Sequence, residues 1–364
     1  MLRRTFLQTA VGSLAVSAAL PSSSETPIRL GMDPYSIRDL GWKAMPLLDY
    51  AASFKLDAIQ FSSLGDFESL APEHLAAVKA RAAQLGIRID AGVGCICPTS
   101  KSWSPQNGDP VAYVSQGLAV AQAVGAKAMR CFLGSGEDRL GPQPIEAHMD
   151  AAIKVFRAAR ARALDAGVRI ALENHAGDMQ AHEVRTVIEE SGKDFVGSCL
   201  DIGNPVWCVE DPMVALEILG PYVVTTHFRD SVVYEHPRGA AVQWVALGDG
   251  SIDLKALLAR YRMLCPGAAM QLEIITGRPP RVLPYFEPEF WKAYPKARAA
   301  EFARFVALAK QGHPFMGAMV IAGPGRQPPE IQAALKEQQR RDLERSIEYA
   351  QKTLGVGINC RKAG

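Results

Sequence analysis

The feature that most constrains this chain is a repeating period of helix, glycine, strand. Helix-like segments at Trp42–Phe54, Pro72–Leu85, Pro110–Val124, Ile145–Ala166, His182–Glu190, Pro212–Leu219 and Ile252–Leu264 alternate with short apolar runs. Several are followed at once by glycine, as in Leu85-Gly86, Val124-Gly125, Ala166-Gly167 and Leu219-Gly220, where a helix end favours a left-handed residue. The apolar runs are Ile28–Ile37, Leu56–Phe61, Ile87–Val93, Lys127–Leu133, Val168–Asn174, Phe195–Asp201, Val223–His227 and Ala269–Ile274. Their length and continuous hydrophobicity suit strands buried on both faces, the mark of a parallel sheet. Eight such strands separated by helices predict an α/β fold closed as a (β/α)8 barrel. With 364 residues, 48% hydrophobic, the chain can bury the core of one such barrel without a second domain.

The beginning of the chain is read apart from the barrel. Leu2-Arg3-Arg4-Thr5-Phe6-Leu7-Gln8 precedes a mild apolar run, Thr9 to Leu20, that ends among small residues. This resembles a twin-arginine export signal, followed by a short mature tail to residue 24, with cleavage between Ser17 and Glu25. The run is too short to span a bilayer core of roughly 30 Å, so no stable membrane span is expected in the mature protein. The resemblance implies passage through the twin-arginine machinery and a periplasmic or otherwise exported destination. Arg3 and Arg4 are the only charges in that leader, so its removal takes the formal charge of +2 to about zero. A near-neutral chain has no general attraction to nucleic acid.

Four of the strand candidates close on a metal-ligating side chain: Ile170-Ala-Leu-Glu173, Ser198-Cys-Leu-Asp201, Val224-Thr-Thr-His227 and Met270-Gln-Leu-Glu273. Barrel enzymes keep their chemistry at these strand ends. Two Glu, one Asp and one His form a hard, mainly oxygen donor set for one divalent ion. Mn²⁺ fits first, with Co²⁺, Mg²⁺ or Zn²⁺ as alternatives. A carboxylate at any single strand end serves more often as a cap or ion-pair partner; four in consecutive strands favour a metal site. His175 and Arg229 each follow a ligand candidate by two positions and so project to the same side, where they would hold substrate oxygens. Gly203, two after Asp201, would leave room for the substrate.

Glu173 in Ala-Leu-Glu-Asn-His, Asp201 in Leu-Asp-Ile-Gly-Asn, His227 in His-Phe-Arg-Asp, the Gly248-Asp-Gly-Ser-Ile-Asp253 loop and Glu273 in Leu-Glu-Ile together resemble the xylose isomerase-like sugar isomerase/epimerase superfamily. The resemblance spans about residues 28–275 and is specific as a set. It implies a barrel that holds one divalent ion through Glu173, Asp201, His227 and Glu273, with Glu173 and Glu273 serving also as the acid/base pair. Related ketose epimerases carry a His where this chain has Asn204, a third candidate substrate contact, and an Arg where it has Val233. The His-Phe-Arg-Asp form is nearer a His-x-Lys-Asp pattern of other branches, which include dehydratases of keto-inositols. The implied activity is isomerisation or epimerisation of an unphosphorylated sugar or keto-sugar through an enediolate. The alternative is a lyase or dehydratase acting by β-elimination on a 3-keto-glycoside or keto-inositol, and a lesser one a non-catalytic sugar-binding barrel. Metal-dependent phosphoester hydrolysis would need more His ligands and a basic face.

Other features have plainer readings. Asp230 is expected behind the ligands or in an ion pair, and Gly248–Gly250 as a tight turn with Ser251 capping the next helix. Thr276 to about Pro329 interrupts the period, with aromatic stretches, a helix near Ala297–Gln311 and a linker-like Gly323–Pro329, before a final amphipathic helix at Pro329–Leu354. An insertion of that length at the catalytic mouth is expected to be an ordered lid, or else structural cover or a contact in a homo-oligomer. Of the seven cysteines, Cys131, Cys199 and Cys265 read as small buried hydrophobes. Cys95 and Cys97 are too close for an unstrained bridge and lack partners at zinc spacing.

Overall fold

The computed structural model describes residues 27–362. The export signal expected at the start of the chain lies outside them. Eight parallel strands form one sheet: β1 (Leu30–Met32), β2 (Ala58–Phe61), β3 (Arg88–Cys95), β4 (Ala128–Phe132), β5 (Arg169–Glu173), β6 (Val196–Asp201) and β7 (Val223–His227), with β10 (Met270–Leu272) beside β1. The two edges meet where Phe228 bridges Leu272, with Phe228 N–H donating to Gln271 O at 2.7 Å and Glu273 N–H donating to Phe228 O at 3.1 Å. The sheet is thereby closed, and helices alternate with its strands as the period predicts.

Local chemistry sets the boundaries. The first strand is shorter than the expected Ile28–Ile37 because Pro34 lacks an N–H and opens a 3₁₀ turn, Pro34–Leu40, capped by Asp33. Gly86, Gly125 and Gly167 end their helices in the left-handed region, whereas Gly220 stays right-handed and carries the chain into a further 3₁₀ turn. The helix Leu254–Leu264 is capped by Asp253, whose carboxylate accepts from Ala256 N–H at 3.0 Å. The expected cap, Ser251, instead accepts from Val233 N–H at 3.2 Å. The final helix, Pro329–Lys352, inserts Leu343, Ile347 and Ala350 into the barrel's apolar layer. Each large side chain so buried contributes roughly 1.5–3 kcal/mol.

An antiparallel hairpin, β8 (Asp230–His236) and β9 (Gly239–Val245), interrupts the period between β7 and its helix, and β11 (Arg281–Leu283) of the long insertion pairs with it. The hairpin escapes a reading by alternation because every residue of β9 is buried. A second apolar cluster explains this: Val233, Val242, Leu283 and Tyr285 pack with Val206 and Trp207 from the barrel and Phe305 from the helix Ala299–Gln311. The insertion therefore covers the barrel through a second core that it shares with the hairpin and the loop after β6. Arg304 pairs with Asp211 and Glu217, and Arg139, buried beside Glu183, donates to Ala293 O at 2.8 Å.

Candidate metal centre

Glu173, Asp201 and His227 are the last residues of β5, β6 and β7, and Glu273 directly follows β10. Parallel register carries all four to one end of the barrel, where each offers a donor atom within 4.8 Å of the others. His227 Nδ1 stands 3.4 Å from Glu173 Oε1, 3.3 Å from Glu273 Oε2 and 4.0 Å from Asp201 Oδ2. That nitrogen is buried and has no hydrogen-bond partner among the described residues. A ring nitrogen enclosed by three carboxylates is an arrangement a divalent cation satisfies, so this donor set fits the expected ion.

His227 is fixed from behind by residues that the sequence reading did not single out. Asp33, at the end of β1, accepts from the other ring nitrogen at 3.0 Å, and Gln60 of β2 also contacts it. Holding a metal-ligand imidazole through its second nitrogen sets its orientation and basicity. Arg130 of β4 was missed too: its Nε donates to Glu173 Oε2 at 2.5 Å, and its guanidinium pairs with that carboxylate. A charged residue inside the apolar strand Ala-Met-Arg-Cys-Phe, and another straight after Leu-Gly-Met, were the available signals.

The electrostatics follow from burial and pairing. Burial opposes ionisation of Glu173, but Arg130 and His227 outweigh it and hold its carboxyl well below the usual range. Burial raises Asp201 and Glu273, and Arg229, which contacts both, offsets only part of that rise. For His227, burial favours the neutral ring, yet Glu273, Glu173 and Asp33 push it up to about 10.

The three expected substrate contacts all reach the pocket in front of this cluster, a cavity of about 390 Å³. His175 donates from Nδ1 to Gly134 O at 2.6 Å and stacks on Phe132 at 4.0 Å, leaving its other edge to the cavity. Asn204 donates to Glu173 Oε1 at 3.2 Å, and its own Oδ1 is buried with no partner among the described residues. Arg229 lines the cavity but spends its guanidinium on Asp201 and Glu273, with its face 4.9 Å from the Trp244 ring. Trp244 itself comes from the inserted hairpin. Gly203 makes room for Arg229 rather than for substrate, since a Cβ there would lie 2.1 Å from Arg229 Cγ. Asp230 has no ion-pair partner among the described residues: its carboxylate accepts the backbone N–H groups of Gly248 and Gly250 at 3.0 Å each and so braces that turn.

The profile of the family described as "Xylose isomerase-like TIM barrel" matches residues 48–281. The chain belongs to this family. Among curated relatives of this xylose isomerase-like barrel, the 3-oxo-isoapionate decarboxylase of Pectobacterium atrosepticum is 24% identical over 220 residues, covering 60% of this chain and 72% of that protein. The uncharacterised protein YihM of Escherichia coli is 27% identical over 103 residues, only 28% of this chain and 31% of that protein. Among solved structures, D-psicose 3-epimerase in the presence of D-fructose has a TM-score of 0.54 at 16% identity, covering 78% of this chain and 96% of that one. The 3-keto-D-glucoside 4-epimerase YcjR from E. coli has a TM-score of 0.53 at 15% identity, covering 68% and 92%. The zinc-bound IOLI protein has a TM-score of 0.52 at 16% identity, covering 78% and 96%. These structures share the fold.

Proposed function

We propose that this chain is a divalent-metal-dependent isomerase or epimerase of an unphosphorylated sugar or keto-sugar, working by proton transfer next to a carbonyl. The observation that carries the reading is the convergence of Glu173, Asp201, Glu273 and Nδ1 of His227 on one point, behind a sugar-sized cavity that Glu273 itself lines. These four would hold the ion, Mn²⁺ by preference. Once bound, it supplies positive charge beside the oxygens that become negative when the α-proton leaves. Glu173, kept ionised by Arg130, and Glu273, held by Arg229, are the groups that take up and return that proton. His175 and Asn204 Oδ1 orient hydroxyl groups, while Phe132 and Trp244 wall the pocket and exclude water.

A second reading is a lyase on a 3-keto-glycoside or keto-inositol. The same proton abstraction would then expel a group at the β carbon. The decarboxylase among the relatives, named for a 3-oxo sugar acid, favours this branch. Metal-loaded protein incubated with a panel of keto-sugars and 3-keto-glycosides in D₂O separates the two. A product of unchanged skeleton carrying one deuterium supports isomerisation or epimerisation, and release of aglycone or water supports the lyase. Ligand binding without exchange or product across the panel would leave a sugar-binding barrel and remove both enzymatic readings.

A further inference from the structure

A second cluster of ligating side chains lies outside the pocket just described. His182 belongs to the helix Ala181–Ser191 that follows β5, Glu210 to the loop after β6, and Glu301 to the first turn of the insertion's helix Ala299–Gln311. Each offers a donor atom within 4.8 Å of the other two. Three separate segments of the chain meet here, and one belongs to the cover.

The satisfaction of these groups is incomplete. Among the described residues, both ring nitrogens of His182 and Oε2 of Glu301 are buried without a hydrogen-bond partner. His182 Nδ1 and Glu301 Oε2 are 3.8 Å apart, too far for a hydrogen bond, and the two side chains are only 11% and 19% exposed. Glu301 Oε1 is taken by Arg298 at 3.0 Å, and Glu210 shares one weak donor, Ala181 N–H, at 3.2 Å from each oxygen.

We propose that His182, Glu210 and Glu301 form a structural site for a divalent cation of the zinc class, which fastens the insertion to the barrel. One imidazole and two carboxylates are a borderline donor set that zinc accepts, with water completing a tetrahedron. Zinc–ligand bonds of about 2.0–2.2 Å place donors about 3.3 Å apart, so a small rotation of the His182 and Glu301 side chains closes the site. The function is mechanical: the ion ties the helix that carries Phe305, and through it the hairpin bearing Trp244, to the strand ends.

Zinc titration of the metal-stripped full-length protein, followed by calorimetry, tests the assignment. Wild type is expected to bind two equivalents. His182→Ala and Glu301→Gln are expected to bind one, and His227→Ala to keep one through this second site. Limited proteolysis gives an independent readout, with cleavage in residues 312–328 severalfold faster in His182→Ala than in zinc-loaded wild type. Glu301→Gln decides the question if His182→Ala does not fold. A single equivalent in wild type that disappears with His227, or two equivalents retained in both His182→Ala and Glu301→Gln, overturns the site without touching the proposed activity.

Discussion

Gly203 and Arg229 are in contact so close that no side chain fits between them: a Cβ at 203 would stand 2.1 Å from Arg229 Cγ and 2.6 Å from its Cδ. The clash involves the stem of the arginine, which cannot swing away without withdrawing its guanidinium from Asp201 and Glu273. A missing methyl group thus determines how two carboxylates of the cluster are held. Gly203→Ala is expected to destabilise the protein by about 1–3 kcal/mol, as overpacking generally does. It should also weaken divalent-metal binding. Chemical denaturation and metal titration of the purified variant check this; wild-type metal affinity with Arg229 displaced would detach the arginine from the cluster's function.

Trp244, from the β8–β9 hairpin, closes one side of the same pocket. It packs on Trp207 at 4.3 Å, donates from Nε1 to Gly203 O at 3.2 Å and covers the Arg229 guanidinium. Trp244→Ala should raise KM more than it lowers kcat, because it removes a pocket wall while leaving Glu173 and Glu273 in place. Steady-state kinetics on a substrate found by the keto-sugar panel would show the split.

The barrel was legible because its code is local. Buried parallel strands need continuous apolar runs and the intervening helices need periodicity and caps, so the eight strands and the four residues at their ends, from Glu173 to Glu273, could be read directly. What the sequence concealed depends on long-range contacts. Asp33 and Arg130 act through partners 194 and 43 residues away, so the charge each adds to an apolar run marks it as unusual without indicating what it holds. The β8–β9 hairpin lost its alternating signal because the insertion buries its outer face. Arg229 stood at the right spacing, yet its guanidinium is engaged by carboxylates of the cluster, a competition that spacing alone does not reveal.

His227 gives a pH dependence with a definite sign. In metal-stripped protein its ring is pushed up to about 10 from an ordinary value of 6.5. The protonated ring therefore stabilises that form fully below about 6.5, and the contribution is lost as pH rises through about 10. Metal binding requires the neutral ring and so releases a proton over most of this range. Apparent metal affinity should climb about tenfold per pH unit between pH 7 and 9, and binding heats should vary with the ionisation enthalpy of the buffer. Calorimetry in two buffers measures the proton count, and a count of zero at pH 7.5 would contradict the assignment of His227 Nδ1 as a ligand.

The paired arginines at residues 3 and 4 motivate a prediction about location. Replacing both by lysine keeps the charge but removes the pair on which the resemblance to a twin-arginine signal rests. The variant is expected to remain in the cytoplasm, folded and able to bind metal. Fractionation of cells expressing each form, with metal content measured in each fraction, tests this. Normal appearance of the double variant outside the cytoplasm would show that the leader has been misread.

The two glutamates carry the most demanding prediction. Glu173→Gln and Glu273→Gln keep the side-chain volume and one oxygen able to reach an ion, but neither amide can take up a proton. Metal should therefore remain bound while turnover falls by roughly 10²–10⁴-fold, the usual contribution of a positioned acid or base. Their surroundings make the two losses distinguishable. Glu173 is held ionised by Arg130 and Glu273 is raised by burial, so one variant should still exchange the substrate α-proton with D₂O without forming product, and the other should do neither. Mass spectrometry of recovered substrate reads the exchange directly. Near wild-type turnover in both variants with metal in place would rule out proton transfer by these residues and leave the barrel as a sugar-binding protein.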